Sequence, residues 1–244
     1  MGPEQQDLLS GSDWYHTIEL PDGRVTPGFF DHRSVVGRYQ LPDDLSGVRA
    51  LDVGCADGFF SFELERRGAE VVAIDAPDRN SLDFPAPLRR ESGRETLRAL
   101  VDNFEVVRTA LGSKVDRRLM TVYEIKPEDL GLFDLVFVGS ILIHLRDPAA
   151  ALMKLAAVCR GQIQVVEEVD RRLDRSRRPL ARLQALSPHL TWWIPNQAGW
   201  SDLLVAAGFD QVERLGRFVV PYGRGRRGGI LHAGFRARPV VPPG

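Results

Sequence analysis

The stretch LDVGCADGFFS, residues 51–61, decides the fold of this chain. Residues 48–53 form a short, mostly apolar run, which is typical of a buried parallel strand. Two glycines with three residues between them follow, and then a helix-like stretch that closes at Gly68. Residues 70–74 predict a second strand, which ends on Asp75. A strand–loop–helix–strand unit with glycines after its first strand and an acid after its second is typical of a nucleoside site.

The glycine loop indicates which nucleoside binds. A dinucleotide-binding loop reads G-x-G-x-x-G, and its middle glycine makes room for a pyrophosphate. Here the loop from Gly54 to Gly58 reads G-x-x-x-G and holds Asp57, whose carboxylate would repel a pyrophosphate and suit the ammonium group of S-adenosylmethionine. Asp75 lies 21 residues after Gly54, where it can accept hydrogen bonds from both ribose hydroxyls. The loop therefore favours S-adenosylmethionine over NAD, and a glycine turn in an unrelated α/β domain is the alternative.

Length and composition set the broad class. The chain has 244 residues, of which 43% are apolar, and this suits one large domain or a domain with an extension. The formal net charge of −1 gives no global signature of polyanion binding. The two cysteines do not predict a disulfide framework, and neither a signal pattern nor an apolar run near the ~20 residues of a membrane span is found. We expect a soluble, cytoplasmic protein without a membrane or metal site.

Strand and helix patterns continue to alternate beyond the first unit. The further predicted strands are 119–122, 133–138, 162–166, 211–215 and 230–235. The further predicted helices are 95–111, 148–155 and 199–207. This order predicts an α/β, Rossmann-like fold with a seven-stranded, mostly parallel sheet whose last strand is antiparallel. Residues 1–47 predict a leader that is either a flap packed on the sheet edge or a lid over the site, and residues 48–244 form the main domain.

Four segments give the chain a resemblance to a known family. They are residues 14–28 (WYHTIELPDGRVTPG), 51–75, 133–148 (FDLVFVGSILIHLRDP) and 191–209, which begins TWWIPN. On these segments the chain resembles the class I S-adenosylmethionine-dependent methyltransferases. It is most similar to the branch of wobble-uridine tRNA methyltransferases and carboxymethyltransferases, in a short form without their N-terminal domain. The resemblance implies that S-adenosylmethionine is the methyl donor.

Two departures from that branch bear on the reaction. The tRNA enzymes carry a basic segment whose lysine helps to hold the carboxylate of carboxy-S-adenosylmethionine, and nothing here matches it. The family's Leu-Tyr-His reads Leu142-Ile143-His144 in this chain. We therefore expect methyl rather than carboxymethyl transfer. Many short forms resemble enzymes that modify small molecules or sugars, so O-methylation of a small-molecule substrate is the main hypothesis.

The strand ends predict the cofactor-binding residues. In a sheet of this kind, ligands bind at the carboxyl edge of the strands. The residues expected to hold S-adenosylmethionine are Asp52, Gly54, Cys55, Ala56, Asp57, Gly58, Asp75, Ala76, Tyr123, Glu124, Gly139 and Ser140.

Candidate catalytic and substrate-binding residues lie elsewhere in the chain. His144 follows the fourth strand and is a candidate general base, because an unperturbed histidine pKa of about 6.5 suits proton transfer at neutral pH. Glu167, at the end of the fifth strand, could orient it, and His16 in the leader is a second candidate. Aromatic walls and an amide are expected around the substrate, from Trp14, Trp192, Trp193 and Asn196.

Three other functions stay open at this point. A tRNA wobble-uridine methyltransferase would use the arginines of residues 171–182 and 224–227 on phosphates, although such runs are usually solvated surface. An NAD-dependent oxidoreductase would need the dinucleotide loop that is missing here. A non-catalytic protein could keep the cofactor site alone.

Overall fold

Strands and helices alternate along most of the chain. The computed structural model describes residues 13–87, 95–187 and 190–241. Within those residues the strands are β1 (Arg49–Val53), β2 (Glu70–Asp75), β3 (Asp116–Leu119), β4 (Phe133–Gly139), β5 (Cys159–Glu168), β6 (Ala181–Leu183), β7 (Trp193–Pro195), β8 (Phe209–Pro221) and β9 (Gly229–Pro239). The α-helices are α1 (Phe59–Arg66), α2 (Glu95–Leu111), α3 (Pro127–Leu130), α4 (Pro148–Val158) and α5 (Gln197–Ala206). Short 3₁₀ helices lie at Val36–Tyr39, Arg79–Ser81, Val122–Glu124, Leu142–His144 and Leu173–Arg175.

The central sheet has seven strands in the order β3-β2-β1-β4-β5-β9-β8. Strands β1 to β5 pair in parallel, whereas β9 is antiparallel to both of its neighbours. The predicted fold, a mostly parallel seven-stranded sheet with its last strand reversed, is confirmed. The strand order reverses between β1 and β4, and this switch point opens the crevice in which such sheets bind ligands.

The boundaries differ from the prediction at two strands. The third strand, predicted at residues 119–122, ends at Leu119 because Thr121 and Glu124 form a capping box that turns the chain into a 3₁₀ helix. Strand β8 has 13 residues where five were predicted, because much of it is exposed and its sequence is correspondingly polar. Its pairing with β9 also shifts register at two places, which blurs the alternation.

Apolar side chains cover both faces of the sheet. On one face, residues such as Leu51, Val53 and Val136 pack under α4 and α5. On the other face, a second cluster joins Ala50 and Phe137 to α1, α2 and the leader. Burial on both faces explains why the parallel strands read as continuous apolar runs.

The leader packs on the second face with isolated β-bridges and the short 3₁₀ helix Val36–Tyr39. The first twelve residues of the predicted leader lie outside the described residues. From Trp14 onward the backbone folds back on itself, with Phe29 donating to the Trp14 carbonyl at 2.9 Å. Gly28 permits this crossing, because a Cβ atom placed there would lie 2.1 Å from the backbone carbon of His16. Gly223 then donates to the Phe29 carbonyl at 2.7 Å and ties the leader to the β8–β9 turn.

Neither a membrane-spanning helix nor a metal-binding cluster is found within the ranges described above. No helix there is long and apolar enough to cross a membrane. No group of three or more histidine, cysteine, aspartate or glutamate side chains is arranged to hold a metal ion.

Candidate active site

A cavity of about 320 Å³ opens at the carboxyl edge of the sheet. The ends of β1, β2 and β4 form its floor, and the leader and the 81–84 loop form its walls. Eleven of the predicted site residues border it, namely His16, Asp52, Gly54, Cys55, Ala56, Asp75, Ala76, Tyr123, Gly139, Ser140 and His144. The structure therefore brings most of the predicted cofactor residues together with two of the three candidate catalytic residues.

Asp75 lies at the end of β2 and holds the glycine loop. Its Oδ2 accepts a hydrogen bond from the backbone N–H of Ala56 at 2.8 Å, and its Oδ1 accepts one from Ala76 at 2.8 Å. Burial raises the pKa of the carboxyl group, and the Arg117 guanidinium, 4.0 Å away, opposes that shift. Each carboxylate oxygen can accept a further bond, so both can face the hydroxyls of a ribose.

Asp52 borders the cavity at the end of β1. Its carboxylate accepts a 2.5 Å hydrogen bond from the Ser61 hydroxyl on α1. Burial raises its pKa to about 7. The side chain is therefore fixed beside the loop and can change its protonation near neutral pH.

Asp57 points away from the cavity, which corrects the expectation that it faces the ammonium group of the cofactor. Its Oδ2 accepts the backbone N–H groups of both Tyr15 and His16, at 2.6 and 2.7 Å. The residue is fully buried, and burial raises its pKa to about 6. The acid inside the glycine loop is thus a partner for the leader rather than a wall of the cavity.

Gly58 and Glu124 also lie outside the cavity lining. Gly58 has φ +92°, and a Cβ atom there would lie 2.5 Å from the Phe62 ring and 2.7 Å from the Phe104 ring. Its role is therefore close packing at the start of α1. The exposed Glu124 accepts hydrogen bonds from Thr121 in the capping box.

Glu167 shapes the loop that carries His144. It is fully buried, and its Oε1 accepts the backbone N–H groups of Ile141 and Leu142 at 2.9 and 2.8 Å. Burial raises its pKa to about 8. Glu167 therefore contacts the backbone of the 141–144 turn, and its side chain does not border the cavity.

His144 borders the cavity from the turn after β4. Its Nδ1 lies 3.0 Å from the Leu190 carbonyl, which can only accept a hydrogen bond. In the neutral imidazole Nδ1 therefore carries the proton, and Nε2 is the basic nitrogen. This is the tautomer that a general base acting through Nε2 requires.

His16 reaches the cavity from the leader and is held by Asp57. Only 5% of its surface is exposed, and burial lowers its pKa to about 3. Its imidazole is therefore neutral at pH 7. Within the described part of the chain, its Nδ1 is buried without a hydrogen-bond partner.

The predicted aromatic and amide substrate residues do not border the cavity. Trp14 is 1% exposed and belongs to the core beneath the leader. Trp192 supports the wall from behind, because its Nε1 donates to the Asp83 carbonyl at 2.6 Å. Trp193 donates to the Arg146 carbonyl at 3.1 Å, and the fully buried Asn196 caps α5 by accepting from Gly199 at 2.8 Å. These side chains are occupied by packing and capping.

Several cavity residues were missed by the sequence reasoning. The missed lining residues include Tyr15, Phe60, Asp83, Phe84, Phe137, Ile141 and Leu190. One of these residues, Asp83, contacts a predicted residue, because the Tyr123 hydroxyl donates to its carboxylate at 2.7 Å. The 81–84 loop has no periodic pattern, however, and only the folded chain shows that it lies against the cavity.

Fold and site together define a class of protein. A glycine loop after β1, an acid ending β2 and a reversed last strand describe a class I S-adenosylmethionine-dependent methyltransferase. The chain belongs to the methyltransferase domain family, whose model matches residues 33–214. S-adenosylmethionine is its methyl donor. The matched family does not single out the wobble-uridine tRNA branch.

Individual curated relatives are also named as methyltransferases. The chain is 33% identical over 116 residues to a ubiquinone biosynthesis O-methyltransferase of Hahella chejuensis, covering 48% of this chain and 40% of that protein. It is 26% identical over 188 residues to the enzyme of that name from Roseobacter denitrificans, covering 72% and 65%. The chain thus spans less than two thirds of the length of these curated relatives. The fold is similar to the N-terminal domain of EvdMO1, crystallised with S-adenosylhomocysteine and D-fucose, with a TM-score of 0.63, 19% identity and 98% of each chain covered.

Proposed function

We propose that this methyltransferase transfers the methyl group of S-adenosylmethionine to a hydroxyl oxygen of a small molecule. One observation carries the proposal. A single cavity is bordered both by Asp75, whose carboxylate oxygens can each accept a further hydrogen bond, and by His144, whose neutral tautomer carries its proton on Nδ1. A nucleoside, a reactive methyl group and a base can thus meet in one enclosure.

Methyl transfer is an in-line displacement, and the chain mainly has to align the reacting atoms and exclude water. The acceptor oxygen forms a bond to the methyl carbon while the bond from carbon to sulfur breaks. The hydroxyl proton passes to Nε2 of His144 as the new bond forms. Glu167 supports this step indirectly, since it fixes the turn that carries His144.

The lining of the cavity favours a small and partly apolar acceptor. Beyond the cofactor end, the walls include Phe60, Phe137, Ile141 and Leu145. The arginines that a tRNA substrate would need, in residues 171–182 and 224–227, are exposed and do not border the cavity. The ubiquinone relatives are named O-methyltransferases, and the EvdMO1 domain was crystallised with a sugar. Both facts support an oxygen acceptor on a small molecule.

We also propose that the leader, within residues 1–47, is a cover for the catalytic domain of residues 48–244. Tyr15 and His16 border the cavity and are fastened to Asp57. A fastened cover excludes water from the sulfonium without requiring a mobile lid.

A labelled-methyl assay tests the proposal. The protein is incubated with methyl-labelled S-adenosylmethionine and one of three acceptor sets: phenols and catechols, monosaccharide glycosides, or unmodified tRNA. We expect label in a small molecule and none in tRNA. In a separate experiment, mass spectrometry of the protein purified from cells should recover no carboxy-S-adenosylmethionine. Label in tRNA alone would contradict the proposal.

His144→Asn provides the matched test of the base. The asparagine amide can still donate to the Leu190 carbonyl, but it lacks a basic nitrogen at the Nε2 position. We expect kcat to fall about 10²–10⁴-fold while S-adenosylhomocysteine binds as in the wild type. An unchanged kcat would remove His144 from the mechanism.

A further inference from the structure

A small second chamber adjoins the main cavity on the side of β8 and β9. Its volume is about 10 Å³, which is room for roughly one water-sized group. Tyr15, His16, Phe60, Gly139 and Ser140 border both the chamber and the main cavity. The chamber is closed on its far side by Phe30, His32, Val220 and His232.

Ser140 stands at the opening of this chamber. It follows β4 directly and has φ +56°, a left-handed conformation that is uncommon for a residue other than glycine. Its Oγ lies 2.8 Å from Nε2 of His232, which belongs to β9, two strands away from β4. The side chain therefore points away from β1 and β2, where the glycine loop and Asp75 lie.

His232 determines which hydrogen bond Ser140 can still make. Its Nδ1 lies 3.0 Å from the Ile230 carbonyl, so Nδ1 carries the proton and Nε2 accepts the proton of the Ser140 hydroxyl. The residue is 3% exposed, and burial lowers its pKa to about 4, which keeps the ring neutral. The donor of Ser140 is thus used inside the protein, and its oxygen can only accept from the chamber.

The His16 side chain supplies an independent sign of a missing partner. It borders the chamber, 95% of its surface is buried, and its Nδ1 has no hydrogen-bond partner among the residues that the structure describes. A buried polar atom without a partner is costly, because it loses its water and gains nothing in return. Both this nitrogen and the Ser140 oxygen, which can still accept a hydrogen bond, belong to side chains that border the chamber.

We propose that the chamber is a subsite for a second, non-reacting hydroxyl group of the methyl acceptor, bound between Ser140 Oγ and His16 Nδ1. This proposal rests on the proposed function and narrows the substrate class to acceptors that carry at least two hydroxyl groups. A hydroxyl fits because it can donate to Ser140 and still bond with His16. A charged group is disfavoured since the neighbouring side chains are neutral and buried. The bound hydroxyl stays unmethylated, because a methoxy group is larger than the chamber.

Crystals of the protein with S-adenosylhomocysteine test the subsite without any need for activity. We expect an ordered water in the chamber within hydrogen-bond distance of Ser140 Oγ and His16 Nδ1, and its loss in Ser140→Gly. A dry chamber in the wild type would overturn the subsite even if methyl transfer is found. The reverse result, a bound water without turnover of any acceptor, would count against the proposed function and leave the subsite supported.

Kinetic measurements then show whether the Ser140 hydroxyl contacts the methyl acceptor or the cofactor. Ser140→Gly removes the hydroxyl and suits the positive φ, so the variant should fold normally. We expect the preference for a two-hydroxyl acceptor such as catechol or methyl fucoside over its monohydroxy or deoxy analogue, measured as the ratio of their kcat/KM values, to fall about tenfold. Gln211→Gly, a change at another positive-φ residue that is exposed, is the control. An equal loss of S-adenosylhomocysteine affinity in Ser140→Gly would assign the hydroxyl to the cofactor and overturn the proposal.

Discussion

The contact between Asp57 and the leader leads to a sharp prediction about stability. Both N–H groups that this carboxylate accepts, from Tyr15 and His16, point to the same oxygen, Oδ2. In Asp57→Asn the amide oxygen can take that place and keep both hydrogen bonds, and only the long 3.5 Å bond from Asn103 to Oδ1 is lost. In Asp57→Ala both bonds are lost, and the two N–H groups remain in a buried position. We therefore expect the alanine variant to be much less stable than the asparagine variant.

The size of the difference follows from the two lost partners. A buried polar group left without a partner costs about 1–3 kcal/mol, so two such groups cost about 2–6 kcal/mol. For a chain of this size, each kcal/mol lowers Tm by about 2–4 °C. We expect Asp57→Ala to melt roughly 5–20 °C below Asp57→Asn.

The asparagine variant is the right reference because burial of the ionised Asp57 carboxylate destabilises the wild type. The pKa of Asp57 is raised to about 6, so the folded state binds its proton more tightly than the unfolded state, where the pKa is near 3.9. Ionisation of this group then lowers wild-type stability as the pH rises from about 4 to 6 and above, by about 3 kcal/mol at pH 7. Asp57→Asn has no charge to bury, so it should exceed the wild type at pH 7 and approach it near pH 4.

Thermal melts at several pH values, with limited proteolysis of the leader, check the reasoning. The alanine variant should also lose protection at Arg24 and Arg33, which lie in the leader segment. Binding of S-adenosylhomocysteine to Asp57→Asn should equal that of the wild type, since the side chain does not border the cavity. Alanine and asparagine variants that melt within about 2 °C of each other would refute the role assigned to this carboxylate.

Three further predictions concern other buried groups. Asp75→Ala should weaken S-adenosylhomocysteine binding by about 2–4 kcal/mol in titration calorimetry, because a charged acceptor of ribose hydroxyls is lost; unchanged affinity would contradict the cofactor position. Burial raises the pKa of Glu167 to about 8. The free energy of unfolding of the wild type should therefore fall by about 2–3 kcal/mol between pH 6 and 8 relative to that of Glu167→Gln. Denaturation curves that show the same difference between the two proteins at both pH values would speak against this. Trp14→Ala should cost about 3–5 kcal/mol of stability, because the side chain is 1% exposed, and a change in kinetics at normal Tm would instead support its earlier assignment to the substrate wall.

The architecture, and the loop and acid that border the cavity, could be predicted because they depend on local sequence. Apolar strands, a glycine loop and an acid at a strand end occur within residues 51–75, and their meaning does not depend on distant contacts. The position of Asp75 beneath the loop follows from strand–helix–strand geometry alone. For the same reason, the reversed last strand could be expected from two strand patterns that follow each other without a helix.

The direction of individual side chains could not be predicted. Nothing in the loop sequence shows that Asp57 turns back to the leader, because its partners are 41 and 42 residues away. Tryptophans next to a strand end suggest an aromatic wall equally well as a packed core, and only the fold shows that Trp193 bonds to the Arg146 carbonyl. His232 drew no attention because it lies inside a strand, and its link to Ser140 joins residues 92 positions apart.

The fastening of the leader to the last hairpin sets an order of events during synthesis. Pro27 accepts a hydrogen bond from Arg224, 197 residues later in the chain, and Asp31 donates to Pro221 at 3.0 Å. A ribosome makes the leader first, but this half of its anchorage emerges only with β8 and β9. The contacts with Asp57 can form early, whereas the contacts with β8 and β9 have a long sequence separation and form late and slowly. The leader, which brings His16 to the cavity, therefore gains its full set of anchoring contacts only after β8 and β9 have joined the sheet.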